Sequence, residues 1–308
     1  MNTQLWFLHG MLLFGLAAAA PAQTGESTEP QPSASPPATE ETKSEVAPPA
    51  AEEAQGEAAT TKLAKAAQNP VANMISVPFQ FNTNFGLGPQ RATGELVNIQ
   101  PVIPVALDED WTLINRAILP FQYLPVEALV PAGRPLPGGP ELGLGDLNYT
   151  GFISPARPGK FIWGVGPTIT VPTATSTRFG SGKLSLGASA VGLTVDGPWV
   201  LGALVSQQWS VAGDATRNSV SSLLVQPFVN YNFEGGWYLT TSPIVTANWI
   251  APSDQRWTVP VGGGFGRVFR LGDQPVNCSL QGFANVVRPD NGPTWSLRFQ
   301  FQLLFPTK

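Results

Sequence analysis

The stretch from Thr294 to Phe305 alternates with a period of two. Trp295, Leu297, Phe299, Phe301, Leu303 and Phe305 leave one face, and Ser296, Arg298, Gln300 and Gln302 leave the other. Only a β-strand sorts successive side chains in this way. One of its faces is aromatic and uncharged, and the other is polar. Such a strand suits a wall with an apolar medium on one side and a polar interior on the other.

The same pattern recurs upstream. About twelve strand-like segments lie near 74–85, 95–105, 111–123, 145–154, 161–171, 184–195, 199–211, 220–233, 237–249, 257–268, 275–287 and 294–305. In most of them the odd-numbered residue is on the apolar face, as in Ile75-Val77-Phe79-Phe81 and Trp199-Leu201-Ala203-Val205. In 275–287 the apolar face is Val276-Cys278-Leu280. Strands of about ten residues separated by turns are what a tilted membrane-spanning strand requires. The expected fold is all-β, an antiparallel transmembrane barrel of about twelve strands.

Connection lengths give the barrel a direction. Asp108-Glu109-Asp110, Asp196-Gly197-Pro198 and Glu234-Gly235-Gly236 are tight turns, and Pro155–Lys160 and Leu271–Gln274 are short. Leu124–Leu144, Pro172–Lys183, Ala212–Ser219 and Ile250–Arg256 are longer. Outer-membrane barrels have short periplasmic turns and longer outer loops, which puts both ends of the barrel domain on the periplasmic side. Tryptophans follow that direction. Trp111, Trp163, Trp199 and Trp237 fall at periplasmic strand ends, and Trp209, Trp249, Trp257 and Trp295 at outer ends. Trp199 and Trp209 share one strand and stand roughly 33 Å apart along it. A tilt of about 40° reduces this to roughly 25 Å, the height of the apolar band. These eight are the expected membrane-interface aromatics.

What precedes the barrel is of another kind. Residues 1–22 contain no charged side chain and pass from an apolar run into Pro21-Ala22, a signal-peptide pattern. Residues 23–68 are rich in Pro, Ala, Glu, Ser and Thr, with eight acidic and three basic residues and no aromatic. Such a segment buries too little apolar surface to offset its ordering entropy. It is expected to be a disordered acidic tether on the periplasmic side, a spacer in preference to a plug, with at most a helical turn over Leu63–Gln68. The barrel domain is then 69–308. Of the 21 acidic and 17 basic residues in the chain, 13 and 14 fall in that domain. That is about half the charged fraction of a soluble domain, and it suits a lumen better than a surface facing bulk water. No basic stripe points to nucleic acid.

Several short runs carry a family resemblance: Gln68-Asn69-Pro70-Val71-Ala72, Ile75-Ser76-Val77-Pro78-Phe79-Gln80 and Gln100-Pro101-Val102-Ile103-Pro104. Gly143-Leu144-Gly145-Asp146, Trp163-Gly164-Val165-Gly166-Pro167, Gln226-Pro227-Phe228-Val229-Asn230-Tyr231 and Trp257-Thr258-Val259-Pro260 add to it. From about Leu63 to the end the chain resembles a family of bacterial outer-membrane proteins. These are labelled as transporters, as a phenol-degradation meta-pathway family, or misleadingly as neuromedin U. The resemblance implies an outer-membrane β-barrel, loosely implies transport, and carries no catalytic residues. Pro306-Thr307-Lys308 departs from the usual ending of such barrels on the aromatic itself.

Chemistry-bearing residues are few. The one histidine, His9, lies in the signal peptide, and the barrel lysines Lys160, Lys183 and Lys308 lie in turns or at the terminus. Histidine is the general base of most envelope hydrolases, so the chain is expected not to be an enzyme and to hold no cofactor or metal. Cys278 reads as a small apolar residue, and Asp108-Glu109-Asp110 as a solvated turn. Gly180-Ser181-Gly182-Lys183 lacks the earlier glycine of a phosphate loop. Gly262-Gly263-Gly264-Phe265-Gly266 lies inside a strand and allows curvature or close packing.

The polar face is where function is expected. Gln80, Asn82, Gln100, Arg116, Asp146, Asn148, Thr168, Arg298, Gln300 and Gln302 are the candidate pore-lining residues. Arg116, Asp146 and Arg298 either select solutes or staple a filled interior. Twelve strands lie between a side-chain-filled barrel and an open pore. The favoured function is a narrow passive channel for small solutes. Aromatic compounds enter only through the family label. The alternative is a non-conducting structural or adhesive barrel acting through its outer loops. The expected partners are outer-membrane lipid, the barrel-assembly machinery acting on the C-terminal strand, and small solutes.

Overall fold

The computed structural model describes residues 49–129 and 140–306. The signal peptide, most of the tether and part of the loop Leu124–Leu144 lie outside the described residues. One helix, α1 (Pro49–Ala67), precedes fifteen strands. These are β1 (Met74–Leu87), β2 (Ala92–Ile99), β3 (Val102–Ala106), β4 (Trp111–Leu124), β5 (Glu141–Leu144), β6 (Leu147–Pro155), β7 (Phe161–Val171) and β8 (Lys183–Asp196). There follow β9 (Trp199–Gly213), β10 (Ser221–Asn232), β11 (Trp237–Thr241), β12 (Val245–Asn248), β13 (Trp257–Leu271), β14 (Gln274–Val287) and β15 (Trp295–Pro306).

Three pairs of strands are single staves broken in the middle: β2 with β3, β5 with β6, and β11 with β12. Each break has a local cause. Pro101 lacks the N–H a ladder needs, the register with β4 shifts by one residue at Gly145-Asp146, and Pro243 interrupts the third. The result is a closed antiparallel barrel of twelve staves. Its terminal seam, between β1 and β15, runs in one register from Met74↔Pro306 to Phe85↔Trp295.

Which face each residue takes follows the alternation. Ile75, Phe81, Ile103, Val105, Trp199, Leu201, Val205, Phe265 and Phe299 are exposed on the outside. Ser76, Gln80, Asn82, Gln302 and Asn277 are buried on the inside. The odd-outward rule fails in β8, where Ser185, Ser189, Val191 and Leu193 are buried and Leu186 is exposed. Its register with β7, which pairs odd with even positions from Phe161↔Thr194 to Thr170↔Ser185, sets this phase.

The rims carry the aromatic contacts. Trp111 meets Trp163 edge-on at 6.0 Å and Trp199 meets Tyr231 at 4.8 Å at the end with the short turns. Trp249 meets Trp257 at 5.5 Å and Phe85 stacks on Trp295 at 3.9 Å on the outer side.

Residues 49–67, assigned to the tether on composition, form α1. Its sequence between Pro49 and Asn69-Pro70 contains no internal proline and is rich in Ala, Glu and Lys, which are good helix formers. Ala64 is fully buried against Met74, Tyr238, Val268 and Leu304. Gly236, at φ +77 in the turn before β11, has no Cβ, and a Cβ there would fall against Thr60. Gln68 and Asn232 exchange amide hydrogen bonds at 2.8 and 3.1 Å. α1 is thus fastened to the end of the barrel at which the strands join through short turns.

Candidate solute pathway

The barrel is polar on one side of its interior and apolar on the other. On β4 and β6–β10, Ile114, Phe152, Val191, Leu193, Val200, Leu204 and Phe228 form an inward-facing apolar cluster, and Val71 from the segment after α1 packs into it. This cluster was not anticipated, because inward positions were read for polarity alone. The even-numbered Val200 and Leu204, beside the odd-numbered outward residues of β9, were the available signal.

The facing wall, β15–β1–β2–β4, carries an amide network. Gln80 Nε2 donates to Gln300 Oε1 at 3.4 Å, and Gln100 Nε2 donates to Gln80 Oε1 at 3.3 Å. Arg116 Nη2 donates to Gln100 Oε1 at 2.8 Å. Toward α1, Asn277 Nδ2 donates to Gln302 Oε1 at 3.0 Å, and Tyr238 donates its hydroxyl proton to Asn277 Oδ1 at 2.6 Å. Gly266 makes room for the Tyr238 ring, since a Cβ there would overlap it. Arg298 Nε donates to Asn82 Oδ1 at 3.1 Å, and the Arg298 guanidinium lies 4.9 Å from the centre of the Phe283 ring. The two ion pairs among the described residues, Arg157–Glu109 and Arg178–Glu141, involve neither Arg116 nor Arg298. Two guanidiniums therefore stand in the interior among amides and hydroxyls without a carboxylate partner.

Three cavities adjoin within this frame. The innermost, about 160 Å³, has Ala67, Gln68 and Pro70 on its floor and Gln100, Arg116, Gln300 and Gln302 on its sides. The next, about 340 Å³, shares Gln100, Arg116, Leu204 and Gln226 with it and adds Gln80, Asn148, Phe152 and Gln208. The third, about 470 Å³, lies at the outer rim with Asn248, Gln255 and Arg256, and it shares Ser222 and Thr246 with the second. Arg116 thus stands at the waist between the two deeper cavities, with apolar Leu204 beside it in both linings. Arg256 Nε at the rim is buried without a hydrogen-bond partner.

The expected pore-lining residues divide into three groups. Gln80, Gln100, Arg116, Asn148, Gln300 and Gln302 line the deeper cavities. Asn82, Thr168 and Arg298 are buried in the network behind them. Asp146 is placed elsewhere. At the β5–β6 break its carboxylate accepts from the Ser181 N–H at 2.7 Å, the Ser181 hydroxyl at 3.0 Å and the Ala174 N–H at 3.2 Å, which fastens the outer loop 172–182. The deeper cavities also take in Tyr238, Ser242, Asn277 and Gln281. The last two follow from the even-outward phase of β14. Tyr238 and Ser242 sit in a broken stave that the sequence alternation does not mark.

No protein-family model and no curated protein matches the chain. Among solved structures, an outer membrane channel from Pseudomonas putida F1 is similar over 75% of this chain and 94% of that chain, at 17% identity and a TM-score of 0.56. The likeness is one of fold, and it agrees with the resemblance to outer-membrane barrel proteins. A Salmonella typhi outer membrane phospholipase dimer with bound calcium (11% identity, 75% and 90% covered) and the CymD monoaromatic hydrocarbon channel (10%, 82% and 93%) match with TM-scores of 0.38 and 0.37. The expectation that the chain is no enzyme is corrected here: an outer membrane phospholipase is among the barrels matched. The barrel, its apolar exterior and the shared fold make the chain an outer-membrane protein.

Proposed function

We propose that the chain is a passive outer-membrane channel for small solutes, suited to molecules that combine an apolar body with a polar or anionic end. The observation that carries this reading is the series of three adjoining cavities from the outer rim to the floor formed by α1. Across them an apolar wall faces an amide wall, with Arg116 at the waist. A guanidinium without a carboxylate partner favours anions, as charged rings do in pores. The similar barrel from Pseudomonas putida F1 is itself described as a channel, which supports the reading.

In this proposal α1 and the segment through Val71 narrow the periplasmic mouth, the acidic residues 23–48 act as a periplasmic spacer, and the barrel-assembly machinery reads β15. Aromatic solutes fit the apolar wall by size and character.

The test is single-channel conductance in planar bilayers, with folding shown by heat-modifiable migration. One form begins at Gln23 and one at Asn69. Discrete steps are expected from the longer form and larger ones from the shorter. In a KCl gradient the reversal potential should favour chloride, and Arg116→Gln should move it toward zero. Silence from both folded forms would overturn the channel and leave a structural or adhesive barrel.

A further inference from the structure

On the outside of the wall, β13, β14 and β15 form a groove between two ridges. Register sets its cross-section. Phe265 pairs with Leu280 and Leu280 with Phe299, so a ring stands on either side of Leu280 at one level. At the next outward position toward the short turns, Cys278 lies between Arg267 and Phe301. At the next position the other way, Gly263 lies beside Gly282, and neither has a side chain. The ridge strands are two strand spacings apart, roughly 10 Å. A Cβ at Gly282 would meet nothing within 4 Å, so the groove stays open toward the middle of the membrane. The cavity between the ridges measures about 330 Å³. Phe265, Cys278, Leu280 and Phe299 line it, with Trp237 and Arg267 at one end.

Arg267 is out of keeping with this apolar surface. It is exposed, it pairs with Trp237 on β11, and its guanidinium lies 5.0 Å from the centre of the Trp237 ring. Its Nε donates to the Gly235 carbonyl at 3.4 Å, and neither ion pair among the described residues includes it. Tryptophan belts lie at the level of the lipid headgroups. An arginine on the lipid face costs little only near that level. The guanidinium therefore stands at headgroup depth, at the end of a hydrocarbon-lined groove, with no carboxylate to neutralise it. A phospholipid needs these two things together: a cation for its phosphate and a trough for an acyl chain.

We propose that β13–β15 hold one glycerophospholipid, its phosphate on Arg267 beside Trp237 and an acyl chain along Cys278, Leu280 and Gly282. An anionic headgroup such as phosphatidylglycerol is favoured over zwitterionic phosphatidylethanolamine, because the cation has no competing carboxylate. The occupant is lipid and not a second copy of the chain. A two-fold contact through this groove would bring two Arg267 side chains to an apolar interface without a carboxylate for either. The inference is independent of the channel reading, since groove and lumen lie on opposite faces of the wall.

Native mass spectrometry of the full chain, loaded with equal phosphatidylglycerol and phosphatidylethanolamine, tests the site. One phosphatidylglycerol is expected to stay bound under activation that strips the other lipids. Arg267→Gln should lower its retention about fivefold, near what one basic residue contributes at an anionic surface, and Arg267→Lys should keep most of it. Gly282→Phe puts a ring in the trough and should lower retention of both lipids. Leu201→Phe, outward on β9, should change nothing. Heat-modifiable migration shows that each variant is folded. Equal retention in all of them would overturn the site and leave ordinary boundary lipid. Lipid-free dimers that Gly282→Phe dissociates would overturn it in favour of a second copy. A further measurement needs no variant. Phosphatidylglycerol with a diazirine in its acyl chain, photolysed in vesicles holding the protein, should label Cys278–Gly282 above the other staves. Even labelling around the barrel would refute the site.

Discussion

The two ends of the chain meet in a seam that is better made than the wall opposite it. Between β1 and β15 the ladder is unbroken, Phe79 lies beside Phe301 on the lipid side, and Gln80 bonds Gln300 on the lumen side. Between β10 and β13 the ladder stops for three residues, and lumen side chains replace it. A closed barrel is sealed where the alternation is strictest, wherever in the chain that falls. Its weak point is set by local chemistry, here three prolines at one level.

The largest effect that separates the two regions comes from burying a charge in each. Phe301→Arg on the seam is expected to cost about 2–4 kcal/mol, the range for arginine at mid-membrane on a lipid face. Ile244→Arg, between β11 and β12, should cost about 1 kcal/mol or less, because Ile244 lines the middle cavity and its replacement keeps the guanidinium in a polar lumen. Urea titration of the folded band on gels measures both, and equal costs would erase the distinction.

Removing a lumen side chain that substitutes for the ladder comes next. Gln281→Leu leaves the Ser242 N–H buried without its acceptor and should cost about 1–3 kcal/mol in the same titration, with faster exchange of that amide. Tyr238→Phe removes one hydrogen bond to Asn277 while keeping the ring against Gly266, and should cost about 0.5–1.5 kcal/mol. If the Tyr238 change costs more than the Gln281 change, the gap between β11 and β12 is not where the wall depends on its lumen.

The smallest effect lies outside the membrane. The Thr216 hydroxyl and N–H, followed by Lys183 and Arg217, hold the Asp214 carboxyl below its ordinary range, although burial works against them. A depressed carboxyl contributes order above its unfolded pKa and loses it as pH falls through the folded value. Exchange of the Thr216 amide should therefore quicken, relative to its intrinsic rate, only below the ordinary carboxylate range. Thr216→Ala should move that transition upward and leave barrel stability and conductance unchanged.

Much of the wall was legible because each stave carries its own period-two signature, and the broken staves keep their overall positions. The interruption between β11 and β12 was not legible, since Pro227, Pro243 and Pro260 acquire meaning only once register places them side by side. The phase of β8 was hidden because small and apolar residues stand on both of its faces, and only its register with β7, from Phe161↔Thr194 to Thr170↔Ser185, sets which face is outward. The apolar cluster was missed because inward positions in a barrel of this size can be filled by either kind of residue. α1 was taken as tether because Ala, Glu and Lys are at once disorder-prone in composition and strong helix formers, and its decisive contact, Ala64 against Tyr238 and Leu304, is tertiary.

Val71 has a consequence for the order of assembly. It stands three residues before the start of β1, yet its seat is built from Ile114, Phe152, Val191, Leu193, Val200, Leu204 and Phe228, all of them synthesised later and all before β15. The cylinder becomes complete only when β15 reaches β1. The residue at the front of the wall can therefore find its place inside an unfinished curved sheet, before closure by the last strand seals it in.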